Sequence, residues 1–162
     1  MDKKNVYLEQ IQPARMAYVR QTGPYGPSNI QTMEKLKQWA DQNKLLNEDA
    51  VLFGIPQDHP AAVLPQLCRY DACIVIEDHF HLDKDNSKDT GFEINVGRFP
   101  GGSYLIFTVP HTAEGIQNAW NDMIPRLQAE GYRMDDKPVI ERYRPRLLNQ
   151  HLCELCVPVT TQ

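Results

Sequence analysis

The residue types and spacings in this chain that best suit chemistry lie in Lys137-Pro138-Val139-Ile140-Glu141-Arg142-Tyr143-Arg144. On a β-strand alternate side chains share a face. Glu141 and Tyr143 therefore point one way, and Ile140, Arg142 and Arg144 the other. If the first pair faces the apolar interior, a carboxylate stands among aromatic and apolar groups, where an unpaired charge is costly and tends to take up a proton. A cationic ligand relieves that cost, and nearby rings add cation–π attraction of about 0.5 to 2 kcal/mol. Such a pocket selects flat, lipophilic cations. The opposing reading is an ordinary one, in which Glu141 pairs with an arginine at a solvated edge. The pattern alone leaves both open.

Tyr104 and Trp120 divide in the same way between core and pocket, since Trp120 lies at the centre of its helix's apolar face. Trp39 falls off the main stripe of its own helix and is expected to be half-exposed or to line a groove. With Met33, Phe53, Glu141 and Tyr143 these make up the expected ligand-binding set. No catalytic residue, metal ligand or cofactor is expected. Cys153-Glu154-Leu155-Cys156 matches Cys-x-x-Cys, but on a strand an odd separation sends the two sulfurs to opposite faces, so packing thiols are expected. His79-Phe80-His81, near Asp78, Asp83 and Asp85, sits in a hydrophilic connector without a third ligand of fixed geometry. Arg142, Arg144 and Arg146 form a basic stripe that reads as a solvated face. Phosphate-binding glycine loops, Gly-x-Ser-x-Gly elbows and zinc-protease helices do not occur.

The elements that must position these residues follow a repeated order. A strand from Val6 to about Gln21 bends near Pro13. The turn-rich Thr22-Gly23-Pro24-Tyr25-Gly26-Pro27 follows. Ser28 is expected to cap a helix, with Gln31 completing a capping box, and Ile30, Met33, Leu36 and Ala40 keep helical spacing. Val51–Ile55 and Cys68–Ile76 are strands, and Asp78–Thr90 reads as an exposed linker. Phe92–Val96 and Ser103–Val109 flank a Pro100-Gly101-Gly102 turn. Thr112 then caps a helix carrying Ile116, Trp120, Met123 and Leu127, with Pro125 expected to kink it and Gly131 to end it. Val139–Tyr143 and Leu152–Val159 are the last strands.

Strand, helix, strand, strand thus occurs twice, over about 5–80 and 91–160 with a linker at about 78–90. Residues support the repeat. Asp71-Ala72-Cys73-Ile74-Val75-Ile76 lines up with Glu154-Leu155-Cys156-Val157-Pro158-Val159, and an offset of 87 sets Ala17 against Tyr104, Met33 against Trp120 and Gly54 against Glu141. The expectation is one α+β domain over residues 1–162, built from tandem duplicated modules. Its strands form one antiparallel sheet with two helices on one face, and a central cleft lies about an approximate two-fold axis.

Composition agrees. The 162 residues include 41% hydrophobic and 23% charged residues, with twelve prolines, nine glycines and four cysteines. That is globular composition. A net charge of −4 argues against direct nucleic-acid binding. A polar N-terminus and the lack of any long apolar run argue against a signal peptide or a membrane partner, so the cytoplasm is the expected compartment.

Several of these segments together resemble a known family. Ala17-Tyr18-Val19-Arg20-Gln21-Thr22-Gly23-Pro24-Tyr25, Cys68-Arg69-Tyr70-Asp71-Ala72-Cys73, Gly101-Gly102-Ser103-Tyr104, Gly131-Tyr132 and Pro138-Val139-Ile140-Glu141-Arg142-Tyr143 look like the GyrI-like small-molecule-binding domain. This is also the effector-binding domain of AraC-type activators and multidrug-sensing regulators. The resemblance implies two fused modules with a cleft, an acid at Glu141 meeting cationic hydrophobic compounds, and Tyr104 and Trp120 at positions that often line the cleft. It also implies a stand-alone binding protein for drug or effector sensing or sequestration. Two alternatives come with the resemblance: a hydrolase of reactive electrophiles with Glu141 as base and Tyr104 or Tyr143 as donor, and a gyrase-inhibitor-like protein-interaction role. Val109-Pro110-His111 departs from the glycine-proline turn of many relatives. With no helix-turn-helix ahead of the first strand, a transcriptional role is expected to need a partner.

Overall fold

Two prolines set the shape of the sheet. Val6 to Thr22 is interrupted at Gln12-Pro13 into β1 (Val6–Ile11) and β2 (Ala14–Thr22), and Asn95 to Pro110 is interrupted at Pro100-Gly101 into β5 (Asn95–Phe99) and β6 (Gly102–Pro110). Proline has no N–H to give a ladder, so strands break there. The two bent segments still run antiparallel in one register, with Val6 opposite Phe107, Ile11 opposite Gly102, Ala14 opposite Phe99 and Tyr18 opposite Asn95. The bends touch. A Cβ at Gly101, whose φ is 74°, would lie 2.6 Å from the Ile11 carbonyl oxygen, so only glycine fits.

The structure, a computed structural model, describes residues 6–82 and 92–161. The remaining elements are α1 (Pro27–Gln42), β3 (Leu52–Pro56), β4 (Arg69–Ile76), α2 (Ala113–Ala129), β7 (Tyr132–Met134), β8 (Ile140–Tyr143), α3 (Pro145–Leu148) and β9 (Leu152–Thr161), with a 3₁₀ turn at Pro65–Leu67. All strand pairs are antiparallel, in the order β1-β6-β9-β8-β3-β4-β2-β5, and β7 pairs with β9. Since β1 runs on into β2 and β5 into β6, the ends of that path meet and the sheet closes on itself.

The two faces of the sheet carry different cores. The outer face is covered by the helices. Ala17, Val19, Tyr70, Ala72 and Ile74 pack under Met33, Leu36, Trp39 and Ala40 of α1, while Leu105, Phe107, Leu155 and Val157 pack under Ala119, Met123 and Leu127 of α2. The offset of 87 holds between the helices, pairing Met33 with Trp120, Leu36 with Met123 and Ala40 with Leu127. The enclosed inner face holds Ile11, Met16, Phe53, Phe99, Tyr104, Ile106, Ile140 and Cys156.

Helix starts differ from expectation in one case. Thr112 caps α2 as expected, its Oγ1 accepting the Gly115 N–H at 2.9 Å. α1 starts two residues earlier than its polar signal suggests, at Pro27 with Gly26 as N-cap, so Ser28 lies inside the first turn. Ile30, expected on the apolar stripe, faces solvent at 68% exposure. Pro125 sits within α2 without ending it. No described helix is long and apolar enough to cross a membrane.

Candidate functional site

The modules meet where β3 and β8 pair, and there Gly54 faces Glu141. These positions differ by 87, the offset that relates the helices, so the approximate two-fold axis passes between them. One equivalent position carries a carboxylate and the other no side chain. That gap is filled from the first module. A Cβ on Gly54 would lie 2.5 Å from Tyr70 Oη and 3.3 Å from its Cζ, so the missing side chain gives the Tyr70 hydroxyl its seat.

Along β8 the alternation read from the sequence holds. Ile140 joins the inner core and Arg142 turns the same way, its Nε and Nη2 donating to Glu154 at 2.9 and 3.0 Å and its Nη1 and Nη2 to Glu9 at 2.8 and 3.0 Å. Arg144 Nη2 lies 2.7 Å from Glu154, whose second oxygen accepts the Tyr7 hydroxyl at 2.8 Å. Arg142 and Glu154 are 3% and 1% exposed. Of the three arginines expected to form a solvated stripe, Arg142 is thus buried in an ion cluster, held there because an inward guanidinium needs fixed carboxylate partners.

Glu141 and Tyr143 point outward, toward the helices. Glu141 is half-buried and accepts a hydrogen bond from the Tyr143 hydroxyl. Among the described residues it pairs with no arginine, lysine or histidine. Its negative charge is felt by its surroundings. Burial first, and then the Glu141 carboxylate, holds the phenols of Tyr143 and Tyr70 well above the usual tyrosine range, and the same two causes push the Cys153 thiol up to about 12. Tyr143 also packs against both helix cores, which makes it the side chain that joins the two modules over the carboxylate.

The other residues expected at the site divide between the two faces of the sheet. Met33 is buried on the sheet-facing side of α1, and Trp120 of α2 is half-buried against the core beneath that helix. Tyr104 and Phe53 do not belong with them. Both lie on the enclosed face, in a row where Phe53 stands 4.8 Å from Phe99 and Phe99 5.9 Å from Tyr104. Phe53 shares the inner face with Ile140, its match in the repeat, whereas for Tyr104 the cause is a one-residue slip in the repeat. Ala17 faces α1, and the residue facing α2 in the matching way is Leu105 rather than Tyr104. A shift by one turns a strand side chain to the opposite face. Trp39 is also corrected. It is fully buried in the core under α1, with Phe80 edge-on against it at 6.2 Å.

Cys153 and Cys156 take opposite faces as expected, and all four cysteines are free and buried. His79 pairs with Glu77 and is exposed. Asp83, Asp85 and the rest of the linker to Thr90 lie outside the described residues. Among the described residues no three potential ligands gather for a metal. Among the described residues, concavities open elsewhere on the surface. One of about 640 Å³ lies between β2 and α1 beside Arg20, Lys35 and Phe92, and one of about 390 Å³ lies beside Leu8, Tyr132 and Asp135. Neither is lined by Glu141. Tyr70 and Gly54 were missed as site residues, although the Gly54–Glu141 match in the repeat marked the place.

Comparison with known proteins agrees with this architecture. The chain is 33% identical over 155 residues to the SPbeta prophage-derived, regulator-like protein YosT of Bacillus subtilis (strain 168), covering 95% of this chain and 98% of that one. It is 30% identical over 140 residues to a DNA gyrase inhibitor of Serratia proteamaculans (strain 568), covering 85% of each. In fold it is similar to the EcmrR C-terminal domain, with a TM-score of 0.71 at 16% identity over 97% of this chain and 98% of that one. It is also similar to SAV2435 bound to tetraphenylphosphonium, with a TM-score of 0.58 at 15% identity over 96% and 93%. Residues 4–160 match the GyrI-like small molecule binding domain, and the chain belongs to that family.

Proposed function

We propose that this protein binds a small lipophilic organic cation at the seam between its modules, with Glu141 as the counter-charge. The observation that carries the reading is a half-buried carboxylate on the module axis that has no basic partner among the described residues. A desolvated carboxylate without a cation is costly, and a cationic ligand removes that cost. Tyr143 and Tyr70 supply ring faces for it, and Met33 and Trp120 extend the apolar lining from the two helices. That SAV2435 carries tetraphenylphosphonium supports the ligand class.

The binding serves drug or effector sensing, or sequestration. Its output passes through a protein partner in transcription or at DNA gyrase, a reading that the regulator-like and gyrase-inhibitor relatives support. The net charge of −4 favours such a partner over direct contact with nucleic acid.

Tetraphenylphosphonium and the isosteric anion tetraphenylborate separate charge from shape. Titration followed by calorimetry is expected to give binding of the cation alone, and Glu141→Gln is expected to weaken it by roughly tenfold or more. Equal affinity of wild type and Glu141→Gln for the cation removes the counter-charge from the reading.

A further inference from the structure

The chain that leads from β6 into α2 crosses the rim of this site in two residues. Pro110 ends β6, Thr112 caps α2, and His111 stands between them. Its backbone N–H donates to the His151 carbonyl at 2.8 Å, which pins the turn to the start of β9. Its exposed ring lies 5.6 Å from the Tyr143 ring at 60°, edge to face. Tyr143 in turn donates its hydroxyl to Glu141. His111 is exposed, Tyr143 is half-buried against it, and Glu141 is half-buried at the Tyr143 hydroxyl. The matching turn of the first module, Gly23-Pro24-Tyr25-Gly26, has glycine and proline at its start.

We propose that His111 is the positioning residue that holds Tyr143 over Glu141 and so sets how readily the site opens. The Tyr143 hydroxyl occupies one oxygen of Glu141, so a ligand cation that takes that oxygen displaces it, and the ring gives up its edge contact with His111 as it leaves. Contacts of this kind are worth roughly a 2- to 13-fold change in an equilibrium constant. Apparent affinity scales with the fraction of molecules already open, so removing the contact raises affinity by that factor. The consequence for ligand access rests on the cation site proposed above, whereas the hold on Tyr143 does not.

The test uses the full chain with carbon-13-labelled tyrosine rings, first without ligand and then titrated with tetraphenylphosphonium. In His111→Ala the Tyr143 ring signal is expected to shift and to show faster ring motion, and in His111→Phe, which keeps an aromatic edge, it is expected to return toward wild type. Affinity for tetraphenylphosphonium should rise roughly 2- to 13-fold in His111→Ala only. An unchanged Tyr143 signal in His111→Ala overturns the proposal, as does a His111→Phe variant that behaves like His111→Ala. If Tyr143 loosens in His111→Ala while no variant binds the cation, the positioning role stands and the cation reading falls.

Discussion

Placing a single methyl group at the module axis tests the packing on which the site depends. In Gly54→Ala the new Cβ would sit 2.5 Å from Tyr70 Oη, 3.3 Å from Cζ and 3.4 Å from Cε2. The first distance is well inside van der Waals contact, and the other two need adjustments of only a few tenths of an ångström. Tyr70 is 5% exposed and packed among Ala72, Ile74 and Leu36, so its ring has little room to retreat. Overpacking of this kind costs about 1–3 kcal/mol. For a domain of this size that lowers Tm by roughly 2–12 °C.

The clash is concentrated on one oxygen, which makes the reasoning testable by a cycle. Tyr70→Phe removes that oxygen and leaves the nearest carbon at 3.3 Å. Urea unfolding of wild type, Gly54→Ala, Tyr70→Phe and the double variant gives the coupling between the two positions. Gly54→Ala is expected to cost about 1–3 kcal/mol in the wild-type background and less than about 1 kcal/mol in Tyr70→Phe. Equal costs in both backgrounds refute the claim that Gly54 exists to seat the Tyr70 hydroxyl.

Two further outcomes follow from the same structure. Thr112→Ala, which strips the side-chain cap from α2, should lower stability by about 0.5–2 kcal/mol, whereas Ser28→Ala, inside the first turn of α1, should cost clearly less in the same urea titration. Arg142→Ala leaves the 1%-exposed Glu154 with only Arg144 and Tyr7, so thermal melts should show a loss of about 3–5 kcal/mol; a loss below about 1 kcal/mol would show that the ion cluster is not desolvated.

Much of this architecture was legible because period and punctuation are local properties. The alternation of β8 follows from four consecutive residues, and the Thr112 cap from one hydroxyl ahead of an apolar stripe. What could not be read depended on distant partners. Closure of the sheet needs the Val6–Phe107 and Tyr18–Asn95 pairings, which no local window contains. Trp39 reads as marginal on its own helix, yet it is fully buried in the core under α1, where Phe80, which arrives from beyond β4, packs edge-on against it. The error at Tyr104 has a different origin. Helix periodicity tolerates the offset of 87, but a strand has a period of two, and there a single residue of slip exchanges pocket for core.

The pairing of Gly54 with Glu141 also bears on why two modules are joined in one polypeptide. An assembly of two identical half-length chains would place the same residue at both central positions, giving either two carboxylates that repel each other or none at all. A solitary negative charge beside the symmetry axis needs halves that differ at that point, and joining them in one polypeptide ensures that unlike halves always meet.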